Sequence, residues 1–221
     1  MSDANDPSAF DPRVRARNRA ILVGIMVLAM LPLAAAVYLY YGDPGSIPGA
    51  QTNRGALLDP PAQLSELGLR DEGGLITAEG PRLWRLVYFL PPACGEACFE
   101  RMHLLRQLHV LLGRDEDRVI RLAAFPEVPD AEARARLDRF FPEQELVEAA
   151  PGTLAGILGS RELVGGDAVD PAVASGAAPL PEAGVLVVDP LGNVVFFHGP
   201  DQIGDALLFD LKRLLRLSNI G

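Results

Sequence analysis

From Ala20 to Tyr41 the chain reads AILVGIMVLAMLPLAAAVYLYY, a run without a charged side chain. At 1.5 Å per residue, about 20 apolar residues cross a hydrocarbon core, so this run predicts one transmembrane helix. Pro32 within it is tolerated, because such helices re-satisfy a freed carbonyl locally. Beyond it the pattern changes. Arg82 to Leu90 is dense in branched and aromatic residues and predicts a buried strand, as does Arg118 to Phe125. Met102, Leu105, Leu108 and Leu112 recur at helical spacing after Cys98. Asp130 to Phe140 predicts a helix with Asp130 as N-cap, and Pro151 to Leu158 a short one. Gly159 to Pro181, rich in Gly, Ala, Asp and Pro, reads as a long loop. Val185 to Asp189 and Val194 to His198 form a hairpin around Pro190-Leu191-Gly192-Asn193, and Asp201 to Leu217 closes the chain as an amphipathic helix.

This order divides the chain into a tail at 1–19, a transmembrane helix at 20–41, a Gly/Pro linker at 42–52 and a domain at 53–221. Alternating strands and helices favour a parallel sheet covered by helices, and the closing hairpin adds an antiparallel edge. That is the element order of a thioredoxin-like α/β fold. Asn53 to Pro61 reads as an irregular or strand-edge entry, Leu64 to Arg70 as a short helical or extended piece, and Asp71 to Gly74 as a turn.

Charge gives the helix a direction. Arg13, Arg15, Arg17 and Arg19 precede it, and Tyr38, Tyr40 and Tyr41 end it. Arginine clusters stay cytoplasmic and tyrosines sit at the interface, which predicts a cytoplasmic N-terminus and a domain outside, on the bacterial inner membrane. The competing reading is a cleaved signal peptide, whose apolar region is shorter and ends in small residues. A buried core helix is rarely apolar all round. The net charge is −9 and the first 41 residues are slightly positive, so the domain is acidic, which argues against nucleic acid and against a basic face for anionic lipid.

Only two cysteines occur, Cys94 and Cys98, at a predicted strand-to-helix junction. A helix N-terminus favours thiolate over thiol, and thiolate is the form that exchanges disulfides and binds soft metals such as Cu(I). Gly95 between them is expected to let the chain curl so that the sulfurs meet. A structural disulfide in an exported domain fits the same spacing. Among the three histidines, His103 points away from Cys98 on the helix and His109 is too distant; His198 is the remaining candidate third ligand. Trp84 reads as core.

The apolar anchor, the strand leading to Cys94-x-x-x-Cys98, and the strand, Asp-Pro-x-Gly turn, strand and helix of Val185–Leu217 resemble the SCO/SenC copper-handling assembly proteins of cytochrome c oxidase. Asn53-x-Gly55-x-Leu57-Leu58, Trp84-Arg85-Leu86 and the Met102-to-Gln107 segment resemble the small oxidase-linked transmembrane proteins of proteobacteria. The resemblance implies a tethered thioredoxin-like factor for oxidase assembly, with Cys94 attacking and Cys98 resolving. Its partners would be the bilayer and an oxidase subunit or copper chaperone. The prolines that usually follow each family cysteine are Gly95 and Phe99 here, and Pro181 falls where the family carries its copper-ligand histidine. Two thiolates therefore remain for copper, with His198 as the only other ligand in view. A Cu(I) chaperone without catalysis and a structural scaffold are the other readings.

Overall fold

The computed structural model describes residues 12–41, 53–91, 95–126, 131–166, 179, 181 and 183–218. The linker, Cys94, Asp130 and most of the second half of the expected 159–181 loop lie outside them. Contacts divide the chain into two units, Met1–Ala50 and Gln51–Gly221.

The first unit is helix α1, Pro12–Tyr41, with Pro32 inside it. Its segment Arg13–Tyr38 is long and apolar enough to cross a membrane, and none of it is buried by protein. An apolar surface on every side of a helix is compatible with lipid and costly in water.

The second unit is built on a mixed sheet. Its strands in chain order are β1 (Ala56–Gln63), β2 (Arg70–Asp71), β3 (Gly74–Leu75), β4 (Trp84–Phe89), β5 (Val119–Phe125), β6 (Glu145–Glu148), β7 (Glu162–Val164), β8 (Gly184–Val188) and β9 (Asn193–His198). Across the sheet they run β3-β2-β6-β5-β4-β8-β9-β1-β7. β4, β5 and β6 are parallel neighbours, while β8 pairs antiparallel with both β4 and β9. Helix α2 (Glu96–Val110) joins β4 to β5, and α3 (Ala131–Phe140) joins β5 to β6, as crossovers between parallel strands must. Helices α4 (Thr153–Gly159) and α5 (Asp205–Leu217) complete the fold.

Side-chain alternation explains the layers. Every residue of β4 and β8 is buried, because both faces of the central strands are covered. On one face Trp84, Leu86 and Tyr88 join Met102, Leu105 and Leu108 of α2 and Leu207, Leu211 and Leu215 of α5. On the other, Val87 and Phe89 join Leu58 of β1 and Leu154, Ile157 and Leu158 of α4. The helical periodicity read from the sequence is the face that these helices bury.

Two expectations change. The β8–β9 hairpin is internal rather than an edge, because β1 pairs with β9 and β7 pairs with β1. The long loop accordingly contains a strand, β7. β1 also accommodates Pro60 and Pro61: its ladder to β9 breaks between Leu57 and Ala62, so the residues lacking N–H groups fall where no ladder bond is needed.

Candidate functional site

Cys98 sits in the first turn of α2, the helix that follows the central strand β4. Its amide donates to the carbonyl oxygen of Gly95 at 3.0 Å, and Phe99 N–H donates to the same oxygen at 3.2 Å. Cys98 is disulfide-bonded and only 2% exposed, within the same apolar cluster as Tyr88, Leu90, Met102 and Ile203. The sequence holds one other cysteine, Cys94, which lies outside the described residues. Gly95 has φ −84°, a value open to any residue, so the turn into α2 does not depend on glycine at this position.

One turn beyond Cys98, Arg101 ties α2 to the 3₁₀ turn Pro200–Gln202. Its Nε donates to the Pro200 carbonyl and its Nη2 to Asp201, both at 3.2 Å. Among the described residues the buried Tyr88 hydroxyl has no hydrogen-bond partner, and burial pushes its pKa up while the Arg101 charge opposes this.

The histidines occupy three different environments. His103 packs on the Phe141 ring, with centroids 4.8 Å apart. His109 Nε2 lies 2.9 Å from the Val119 carbonyl and 3.0 Å from that of Glu116, closing the turn after α2. His198, at the end of β9, is fully buried, and its Nε2 is 3.4 Å from Asp210 Oδ2. Burial pushes its pKa down to about 4, so the imidazole is neutral at pH 7.

Asp210 is a residue that sequence reasoning missed. It is 3% exposed, and its carboxylate accepts from the backbone N–H groups of Arg54 (2.9 Å) and Gly55 (2.8 Å). Burial raises its pKa, and those two hydrogen bonds oppose the rise. A side chain at Gly55 would collide with His198, since a Cβ there lies 2.4 Å from Nε2. A Cβ at Gly166 would lie 2.3 Å from the Gly55 carbonyl oxygen. His198 and Asp210 are therefore packed into the attachment of the entering chain. The signal was present in α5: an aspartate on the face occupied by Leu207 and Leu211 needs a partner when buried.

Among the described residues no three His, Cys, Asp or Glu side chains are grouped to hold a metal ion. His198 is enclosed by Gly55 and Asp210, and Cys94, the other expected ligand, lies outside the described residues. Pro181, at the family's histidine position, has no side-chain donor.

Residues 84–156 match the family model described as a transmembrane-like, thioredoxin-like C-terminal domain. Together with the strand order, this makes the second unit a thioredoxin-like fold. Solved structures similar to the chain include apo Sco1 from Thermus thermophilus, at 16% identity and TM-score 0.46, covering 75% of this chain and 99% of that one. Copper-bound ScoI from Bradyrhizobium japonicum is 18% identical with a TM-score of 0.40, covering 73% and 99%. Yeast Sco1 is 13% identical with a TM-score of 0.46, covering 75% and 99%. No curated protein matches.

Proposed function

We propose that this chain is a membrane-tethered thiol–disulfide exchange factor that serves respiratory oxidase assembly through Cys94 and Cys98. The observation that carries the reading is the disulfide-bonded, buried Cys98 in the first turn of the helix that follows the central strand. In the thioredoxin-like arrangement, that strand-to-helix junction lies at the carboxyl end of the parallel strands. The arginines in the first turns of α1 support a domain held outside the cytoplasm, where a disulfide persists.

The burial of Cys98 supports attack at Cys94 and resolution by Cys98. An incoming thiolate has no route to a sulfur 2% exposed, so it attacks Cys94. The Cys94–S bond to Cys98 breaks, a mixed disulfide forms on Cys94, and Cys98 leaves as a thiolate. The partner's second thiolate then attacks its own sulfur in the mixed disulfide and releases Cys94. The partner loses two electrons, and the Cys94–Cys98 disulfide gains two electrons and two protons. In reverse, the dithiol form reduces a partner's disulfide, with Cys94 attacking and Cys98 resolving.

Exchange with a peptide offered as the dithiol and as the disulfide, measured on the full chain in detergent, tests the assignment. Cys94→Ser abolishes exchange with both forms, whereas Cys98→Ser, offered the disulfide form, traps a mixed disulfide between Cys94 and the peptide that is visible on a non-reducing gel. Normal oxidase assembly in cells carrying both changes overturns the reading. A reduction potential well below about −300 mV marks a structural disulfide and does the same. Retention of one Cu(I) per reduced chain through size exclusion, without exchange activity, would identify a copper chaperone instead.

A further inference from the structure

The exposed face of α5 joins cations to exposed apolar side chains. Phe209, Lys212, Arg213, Arg216 and Leu217 are all solvent-exposed and line one shallow depression of about 390 Å³. They recur at intervals of three and four, so they form one stripe along the helix. Arg54, from the segment entering β1, lays its guanidinium over the Phe209 ring at 4.9 Å. Four cations thus surround two apolar side chains, Phe209 at 44% and Leu217 at 73% exposure. Asp210, the acidic residue within this stretch of helix, is turned inward and buried. Asp205 alone places a carboxylate on the exposed side of α5, at its opposite end.

We propose that this face docks on an anionic phospholipid surface. Three observations choose lipid as the occupant. The stripe combines cations with an aromatic and a leucine, the side-chain set that holds an amphipathic helix in the headgroup region. Its charge is the complement of phospholipid phosphate, in a chain whose net charge is −9. The face also lies at the domain's point of attachment: Arg54 belongs to it, and only residues 42–52 separate Asn53 from Tyr41 at the end of α1. The net charge, which taken alone argues against lipid, is a sum over the whole surface and does not describe this face.

Lys212 is the only lysine in the chain, so its acylation reports on the face directly. The experiment measures the rate of Lys212 modification by an uncharged amine reagent, using mass spectrometry of the full chain in nanodiscs. One disc is pure phosphatidylcholine and the other about one-third phosphatidylglycerol. A Glu72→Lys variant supplies a second lysine, on the β2–β3 turn at the other side of the sheet, as the internal reference. Each cation near an anionic surface is worth roughly a fivefold change in partition. Lys212 is therefore expected to be protected at least fivefold on the anionic disc relative to the reference lysine. The protection disappears at about 1 M salt, where the screening length falls to about 3 Å. It also falls about fivefold in Arg216→Gln, and further in Phe209→Ser/Arg216→Gln, with melting temperatures checked for each. Equal relative rates on the two discs overturn the proposal, as does protection that survives high salt or both substitutions. In the first case an acidic protein partner becomes the better occupant for the face.

Discussion

At the residue scale the tightest constraint lies at Gly55, far in sequence from the cysteines. Its missing side chain leaves room for the His198 ring, and its amide donates to Asp210. Gly55→Ala places a methyl 2.4–2.8 Å from three ring atoms of a fully buried imidazole. The ring has no solvent side to retreat to, and Gly166 packs against the Gly55 carbonyl. Overpacking of this kind costs typically 1–3 kcal/mol, and about 3 is expected here. Denaturant titration of the full chain in detergent, followed by Trp84 fluorescence, checks it; a midpoint equal to that of the parent would contradict the packing argument. The same cluster sets a pH dependence. The folded His198 pKa of about 4 lies below the unfolded value of 6.5. Above pH 6.5 neither state binds this proton, and stability is full. As pH falls through 6.5 the unfolded state takes the proton and the native state does not, so stability declines until about pH 4. The total is on the order of 3 kcal/mol. Asp210, whose pKa is raised, works in the opposite sense: its contribution falls as pH rises through its folded value. The window between pH 5 and 6.5 keeps the histidine apart from Glu66, whose pKa is lowered. Across that window the melting temperature of the parent should rise more steeply with pH than that of His198→Gln, which retains the opposing Asp210.

At the scale of elements, the Asp189 turn shows how one side chain holds a hairpin in register. Asp189 Oδ1 accepts from the amides of Leu191 and Asn193, each at 2.8 Å, and its Oδ2 accepts from the Asn193 side chain. Asp189→Ala removes all three and is expected to cost about 1–2 kcal/mol, read as a lower melting temperature with the disulfide intact. Such turns were legible in the sequence because their chemistry is local. So were β4, whose six residues are all buried, and α5, whose leucines mark one face. β1 was not, because Asp59, Pro60 and Pro61 contradict strand propensity, and only the gap in its ladder to β9 explains why they are tolerated. β6 and β7 are too short to carry a period, and their partners are distant in sequence. The internal position of the hairpin was hidden for the same reason: it depends on β1 returning to pair with β9. At the site, the Cys98 position was readable from its strand-to-helix setting. The enclosure of His198 was not, because it depends on Gly55 and Asp210, 143 positions before it and 12 after it.

At the scale of the whole molecule, the chemistry depends on which side of the membrane the domain occupies. The uncharged run of α1 from Ala20 onward, on its own, does not favour either orientation. The asymmetry comes from Arg13, Arg15, Arg17 and Arg19 at one end, since arginines within about 15–20 residues of a span decide its orientation. Replacing all four with Gln should leave insertion intact, because the apolar segment is unchanged, and should let a fraction of chains insert reversed. If the domain is held outside the cytoplasm, as proposed above, in that fraction it faces a reducing compartment, and Cys98 loses its disulfide. The expected outcome in cells is therefore two linked changes: part of the domain becomes inaccessible to protease added to spheroplasts, and the same fraction becomes alkylatable at both cysteines after denaturation without prior reduction. Protease accessibility that is unchanged would mean the arginines do not set the topology. Reversal with the disulfide still formed would mean that the bond is sealed by the fold rather than maintained by its surroundings, which favours the structural role over exchange. The two readouts thus separate where the domain sits from what its cysteines do.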